Sequence, residues 1–197
     1  MKILIDPTIR EHYKNQIEIS VDLKLINFLH FVYGEKIKIE IFNKKIINKP
    51  NLIVMLGGNN IPRCTKSISD KTRNKRSNHI YNYAIKNKVP LIGICYGAQF
   101  IGFKNKFLFK KKRVIGSHNI KLSKEIEYFK EKSLKVNSFK SIIITKTNNY
   151  FKNIYLAEDG SVECFSSKNP KILGLMWHPE RYLKYKSIDK KISKRIL

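Results

Sequence analysis

The stretch Pro90–Gln99 sets Cys95 between Gly93 and Gly97, after the apolar run Leu91, Ile92 and Ile94 and before a helix-like segment. That is the build of a nucleophile elbow, a sharp strand-to-helix turn best known with serine as Gly-x-Ser-x-Gly. Far downstream, Trp177-His178-Pro179-Glu180 offers an imidazole and a carboxylate two residues apart. In an extended chain residues i and i+2 point to the same side, so His178 and Glu180 can converge. A free cysteine is only about 3% thiolate at pH 7. A helix N-terminus and a neighbouring imidazole correct this, so elbow and base are needed together. If the fold unites them, Cys95, His178 and Glu180 make a Cys-His-Glu hydrolase. His178 would take the thiol proton and return it to the leaving amine, and Glu180 would hold the ring in one tautomer.

A tetrahedral intermediate also needs two donors aimed at its oxyanion. One is expected from the backbone N–H of Tyr96. The other is expected from the turn Gly57-Gly58-Asn59, which leaves a second apolar strand, with Gly58 as donor and Asn59 as the near alternative. His118, in Gly116-Ser117-His118-Asn119, and the pair Asn137-Ser138 are candidate substrate contacts, to be weighed against plain loop residues. Cys64 and Cys164 read as structural.

These residues need a scaffold that brings strand ends to one edge. Ile3-Leu4-Ile5 reads as a buried strand. Ile19 to Tyr33 carries Val21, Leu25, Phe28, Leu29 and Val32 on one helical face, with Gly34 as its stop. Lys36 to Phe42 alternates like a half-exposed strand, and Leu52 to Leu56 is a continuous apolar strand. A helix over Thr72 to Lys88 precedes the elbow. This β-α-β-β-α-β-α order predicts an α/β fold with a mostly parallel central sheet flanked by helices. The second half reads as an added antiparallel region. Its expected strands are Arg113 to Ile115, Lys135-Val136, Ser141 to Thr145, Ile154 to Ala157, Val162 to Phe165 and Ile172 to Trp177, with an amphipathic helix over Lys184 to Leu197 closing the chain. No repeat or linker divides residues 1–197, so one domain is expected.

Apolar residues make up 42% of the chain, enough for a packed core. No run approaches the roughly 20 apolar residues of a membrane-spanning helix. The opening Met1-Lys2-Ile3-Leu4-Ile5-Asp6 breaks too early for a secretory h-region, which predicts a cytoplasmic protein. Three widely spaced cysteines without a C-x-x-C pair argue against a disulfide framework or zinc site, and no metal or cofactor is expected. Forty Lys and Arg against 15 Asp and Glu give a net charge of +25. The lysines are scattered, so the excess fits either an anionic partner or a surface merely rich in Lys and Asn. The dense run Lys104 to Arg113 could meet phosphate, or form a solvated loop or edge strand. No helix-turn-helix, zinc or aromatic-basic repeat supports a nucleic-acid module.

Gly57-Gly58, Gly93-Ile94-Cys95-Tyr96-Gly97-Ala98-Gln99 and Trp177-His178-Pro179-Glu180 together resemble the class I glutamine amidotransferase superfamily, over essentially the whole chain. The resemblance implies Cys95, His178 and Glu180 as triad, Gln99 beside the γ-glutamyl group, and Val136-Asn137-Ser138-Phe139 at the α-amino and α-carboxyl ends of the substrate. Leu56-Gly57-Gly58-Asn59-Asn60-Ile61 and Trp177 to Arg181 look closer to the γ-glutamyl hydrolase branch, including small bacterial members of surface-polysaccharide clusters. Four positions depart from that branch: Tyr96 for a common Arg, Asn60 for Asp, Asn74 for the last residue of a Thr-Arg-Asp pattern, and Lys140 for a His. The implied reaction is hydrolysis of a γ-glutamyl amide through a glutamyl thioester, on glutamine or on a γ-glutamyl nucleotide amidate. The alternative is a glutaminase subunit that feeds ammonia to a separate synthetase partner.

Overall fold

The computed structural model describes residues 1–13, 16–124, 126 and 129–197. Its first half runs β1 (Lys2–Asp6), β2 (Thr8–Tyr13), β3 (Gln16–Ser20), α1 (Leu23–Tyr33), β4 (Lys38–Ile41), β5 (Leu52–Met55), α2 (Ile68–Lys86), β6 (Leu91–Ile94) and α3 (Tyr96–Lys104). The second half is β7 (Leu108–Leu122), β8 (Ser133–Lys146), β9 (Lys152–Ala157), β10 (Val162–Lys168), β11 (Lys171–Leu175) and α4 (Ser187–Lys194).

Nine strands pair in the order β4-β1-β5-β6-β11-β10-β8-β7-β9. The pairings from β4 to β11 are parallel. Those among β11, β10, β8, β7 and β9 are antiparallel, and β9 returns to pair with β10, closing a small barrel. The α/β architecture therefore stands, but the expected predominance of parallel strands does not. The two halves are of similar size because β7 and β8 are long: Lys135-Val136 and Ser141 to Thr145, expected as two strands, belong to one. The Gly116 to Asn119 segment, read as loop or substrate contact, lies inside β7.

Strand alternation sends side chains to two cores. Ile3, Ile5, Val54, Ile92, Ile94 and Leu173 pack with Leu25 and Leu29 of α1 and Ile188 and Ile192 of α4. Leu4, Ile53, Met55 and Leu91 pack with Ile80 and Ala84 of α2 and Ala98 and Ile101 of α3 on the other face. Helices on both faces leave the carboxyl ends of β5, β6 and β11 free to carry loops along one edge.

One element was not expected. The β2–β3 hairpin is a separate antiparallel pair, so the helix read from Ile19 begins only at Leu23. Asp22 caps it, accepting a hydrogen bond from the Lys24 N–H at 2.9 Å. Residues Gln16–Ser20 alternate apolar and polar with β-branched Ile17 and Ile19, a period-two pattern that suits a strand. The basic run also divides: Lys104 ends α3, and Leu108 onward is β strand. Leu108 to Lys111 pair with β8 alone, because β9 meets β7 only at Ile120 to Leu122, so that stretch is an edge. Among the described residues no helix is long and apolar enough to cross a membrane.

Candidate active site

Strand β6 delivers Cys95 at its end, with φ 51° and ψ −101°, a left-handed conformation costly for a residue with a side chain. The surroundings hold it there. The Cys95 N–H donates to the Leu175 carbonyl at 2.7 Å, and the Cys95 carbonyl accepts from the Gln99 N–H at 2.9 Å. A Cβ on Gly93 would lie 2.5 Å from the Gly97 carbonyl carbon, and one on Gly97 would lie 2.3 Å from the Met55 carbonyl oxygen. Only glycines allow the elbow to sit this close to its neighbours. Beneath it the Tyr96 hydroxyl donates to Asn74 Oδ1 at 2.9 Å and lies 3.1 Å from Ser77 Oγ. The Arg73 guanidinium covers the Tyr96 ring at 4.8 Å and pairs with buried Asp6 at 3.1 Å. Tyr96 therefore ties the elbow to α2 through its side chain. As the first residue of α3, it leaves its N–H among the donors that a helix cannot use internally.

His178 follows β11 on the adjacent strand end. Its Nδ1 is 2.7 Å from Glu180 Oε1, both side chains being buried. Asn137 of β8 grips the His178 backbone from both sides: its Nδ2 donates to the His178 carbonyl, and its Oδ1 accepts from the His178 N–H, each at 2.8 Å. A Cβ placed on Gly57 would meet His178 Cε1 at 2.6 Å and Cys95 Cβ at 3.5 Å, so Gly57, Cys95 and His178 share one small volume. Burial alone would lower the imidazole pKa. Hydrogen bonds and charge from Cys95 and Glu180 outweigh it, and the pKa is raised to about 9. The surroundings of His178 thus favour the charged, imidazolium form of the ring. Cys164 is the contrast: burial, helped by the Asp189 and Glu163 charges, pushes its thiol far up, which keeps it protonated in the core.

The turn after β5 is the third component. Gly58 has φ +83°, and the space over it is closed by Thr8, whose Oγ1 donates to the Gly57 carbonyl at 2.8 Å. Asn59, at φ 56°, pairs with Ile9 of β2 like a strand: its Oδ1 accepts from the Ile9 N–H at 3.1 Å, and its Nδ2 donates to the Ile9 carbonyl at 2.9 Å. Asp70 of α2 accepts from the Asn60 N–H at 2.7 Å, Asn60 Nδ2 at 3.0 Å and the Lys66 N–H at 3.0 Å. Burial works against the Asp70 carboxylate, but these hydrogen bonds win and hold its pKa below the usual value. The unexpected hairpin thus has a use, because it anchors this turn.

The three components meet at a cavity of about 410 Å³. Gly58, Asn59, Cys95 and Gln99 line it. Cys95 is only 6% exposed yet opens onto this space. Its Sγ lies 3.8 Å from the Phe139 carbonyl of β8. Gly57, Tyr96, His178 and Glu180 stand behind the lining. His118, Asn137 and Ser138 do not line it. His118 Nε2 lies 3.4 Å from Glu163 in the barrel, Asn137 is occupied by the His178 backbone, and buried Ser138 accepts from Lys140 Nζ at 2.9 Å. The substrate-contact expectation for these three thus finds other partners, because their strand alternation sends them into the barrel or toward His178. The cavity wall instead includes Arg113, Ile115, Phe139 and Ile142. Pairing of β7 with β8 across the elbow brings them there, and no local sequence signal marks it.

A strand-to-helix elbow bearing Cys95, a His-Glu pair and a glycine turn thus lie along one edge of an α/β sheet, and whole-fold comparison finds the same architecture in solved structures. The fold matches a Thermoplasma acidophilum protein assigned as a GMP synthase component, at TM-score 0.72 and 17% identity over 100% of this chain and 92% of that one. It also matches a Thermotoga maritima glutamine amidotransferase, at TM-score 0.64 and 16% identity over 91% and 75%. The chain belongs to the Peptidase C26 family, of the class I glutamine amidotransferase type, whose sequence profile matches residues 40–180. It is 32% identical over 130 residues to the γ-glutamyl-CDP-amidate hydrolase of Campylobacter jejuni, and 26% identical over 160 residues to a Schizosaccharomyces pombe protein assigned as a glutamine amidotransferase. The matches take in 66% of this chain, and 62% and 63% of the length of those two relatives.

Proposed function

We propose that this chain hydrolyses a γ-glutamyl amide bond through a Cys95 thioester, on a substrate whose leaving group is nucleotide-linked. The observation that carries the reading is the convergence of Cys95, His178 and Gly57 at one end of a substrate-sized cavity, with Glu180 bonded to the far side of the imidazole. The likeness to the Campylobacter hydrolase supports the choice of substrate.

In this reading the Cys95 thiolate, paired with the His178 imidazolium, attacks the γ-carbonyl carbon. The carbonyl π electrons move to oxygen, and the oxyanion is held by the N–H groups of Gly58 and Tyr96. Collapse breaks the C–N bond while His178 gives its proton to the leaving nitrogen, which departs as an amine or phosphoramidate. Neutral His178 then takes a proton from water, whose oxygen attacks the thioester. Breaking the C–S bond releases glutamate and returns the thiolate–imidazolium pair. Glu180 stabilises each imidazolium stage and keeps Nε2 directed toward the reacting atoms. Gln99, on the first turn of α3, faces the γ-glutamyl group.

The test is glutamate release by the isolated chain from glutamine and from a γ-glutamyl cytidine diphosphoramidate. Release from the nucleotide substrate, lost in Cys95→Ala with an unchanged circular dichroism spectrum, is the expected result. Retained turnover in Cys95→Ala removes the thiol from the mechanism. Glutamine turnover that appears only when a synthetase is added favours the ammonia-supplying alternative.

A further inference from the structure

Strands β7 and β8 pair with Lys111 opposite Ile142 and Val114 opposite Lys140. Two residues of β7, Lys112 and Arg113, therefore face the single residue Ser141 of β8. That is a β-bulge, a device that re-aims a side chain and is frequent beside active sites. Its two residues go different ways. Lys112 Nζ binds Asp159 at 2.5 Å. Arg113 lines the cavity that Cys95 opens onto, is exposed, and has no hydrogen-bond or ion-pair partner among the described residues. Next to it, Ile115 and Phe139 face each other across the two strands, 58% and 50% exposed, and line the same cavity. The cavity thus has a buried end, where the thiol, Gly58 and Gln99 sit, and an open wall that carries one unpaired guanidinium and an apolar pair; the Lys140 ammonium also lines it but is engaged by Ser138 and Glu163.

We infer that Arg113, turned into the cavity by the β7 bulge, binds an anionic, phosphate-bearing leaving group of the substrate, and that Ile115 and Phe139 form the surface against which its organic part lies. The inference rests on the γ-glutamyl hydrolase reading above and adds the residue that would select the leaving group. A guanidinium presents paired N–H donors that match two phosphate oxygens. An ammonia leaving group has no use for such a wall. The glutamyl moiety has one carboxylate that Arg113 could serve instead, and the general field of a +25 chain attracts any anion. The experiment separates both from a dedicated contact.

Cytidine diphosphate is titrated into the wild-type chain and into Arg113→Gln, Arg113→Lys and Lys110→Gln at fixed ionic strength. In parallel, glutamate release is measured from the γ-glutamyl cytidine diphosphoramidate and from an uncharged γ-glutamyl anilide. Lys110 lies on the same strand outside the cavity and reports the loss of one charge alone. Arg113→Gln is expected to weaken cytidine diphosphate roughly 10–100-fold, the range of a charge-assisted hydrogen bond. It should lower kcat/KM for the diphosphoramidate relative to the anilide by a similar factor, mainly through KM. Arg113→Lys should recover part of the loss, and Lys110→Gln should change affinity less than about threefold. An unchanged affinity in Arg113→Gln, or an equal loss in Lys110→Gln, overturns the inference while anilide cleavage leaves the hydrolase reading standing. An equal loss on both substrates assigns Arg113 to the glutamyl carboxylate and also overturns it. No glutamate release from either substrate overturns the hydrolase reading itself, and this inference with it.

Discussion

Replacing Glu180 by Gln removes one charge from the His178 environment while preserving shape. The carboxylate oxygen stands 2.7 Å from His178 Nδ1, buried, with Arg181 Nε at 3.6 Å as its other cationic neighbour. Burial opposes the imidazolium, and the nearby Cys95 and Glu180 overcome it, raising the pKa to about 9. At pH 7.5 the charged form therefore predominates by roughly thirty to one. If the reactive species is the thiolate–imidazolium pair, kcat/KM should hold to the alkaline side and fall as His178 loses its proton near pH 9. Withdrawing a close opposite charge lowers a pKa by about 1–3 units, so in Glu180→Gln the fall should move to between about pH 6 and pH 8. At pH 7.5 the loss should be on the order of 10–100-fold, from deprotonation and from a ring no longer held in one tautomer. The assay is a pH profile of γ-glutamyl hydrolysis, with the iodoacetamide alkylation rate of Cys95 over the same range as a substrate-free measure of thiolate. Folding stability gives a further check. A histidine whose pKa is raised on folding stabilises the native state fully below about pH 6.5, and that contribution disappears as pH rises through about 9. A Glu180→Gln enzyme whose alkaline limb stayed near pH 9, with a rate within twofold of wild type, would refute the role assigned to this pair.

Gly57→Ala puts a methyl group 2.6 Å from His178 Cε1, so the ring must move, and a displacement of about 1 Å can cost on the order of 100-fold in rate. The expected outcome is a large loss of kcat/KM with stability within about 1 kcal/mol of wild type, read by kinetics and a thermal melt together; full activity would show the ring free to shift. In the barrel, Lys140 Nζ meets Glu163 Oε1 at 2.5 Å, both side chains being almost fully buried. Lys140→Met or Glu163→Leu alone strands a charge and should cost about 3–5 kcal/mol in urea unfolding. The double replacement Lys140→Met/Glu163→Leu should recover most of that, and additive losses would show that the two groups do not depend on each other.

The elbow was legible because its signals are local. Gly93 and Gly97 frame Cys95 within five residues, and the steric demand they meet is a contact between adjacent elements. The His178–Glu180 pair was legible for the same reason, since two-residue spacing alone lets both side chains converge. The first helix was misplaced at its start because Val21, four residues before Leu25, continues the helical spacing although it precedes the Asp22 cap, and Ile19 ahead of it belongs to β3. Only pairing with Thr8–Tyr13 decides between the two periods.

The rest of the site was decided by contacts between residues far apart in the chain. Asn137 looked like a substrate contact and instead braces the backbone of His178, 41 residues later. Asn59 lines the cavity with its side-chain amide bonded to Ile9, 50 residues earlier. Arg113 sat in a basic run with nothing to set it apart until the register of β7 against β8 produced a bulge there. Composition and spacing thus determine which residue types are available and which short elements they form, because those follow from sterics within a few bonds. Which side chain faces the cavity depends on strand register and sheet closure, and a shift of one residue exchanges the two faces of a strand. That choice belongs to the tertiary structure alone.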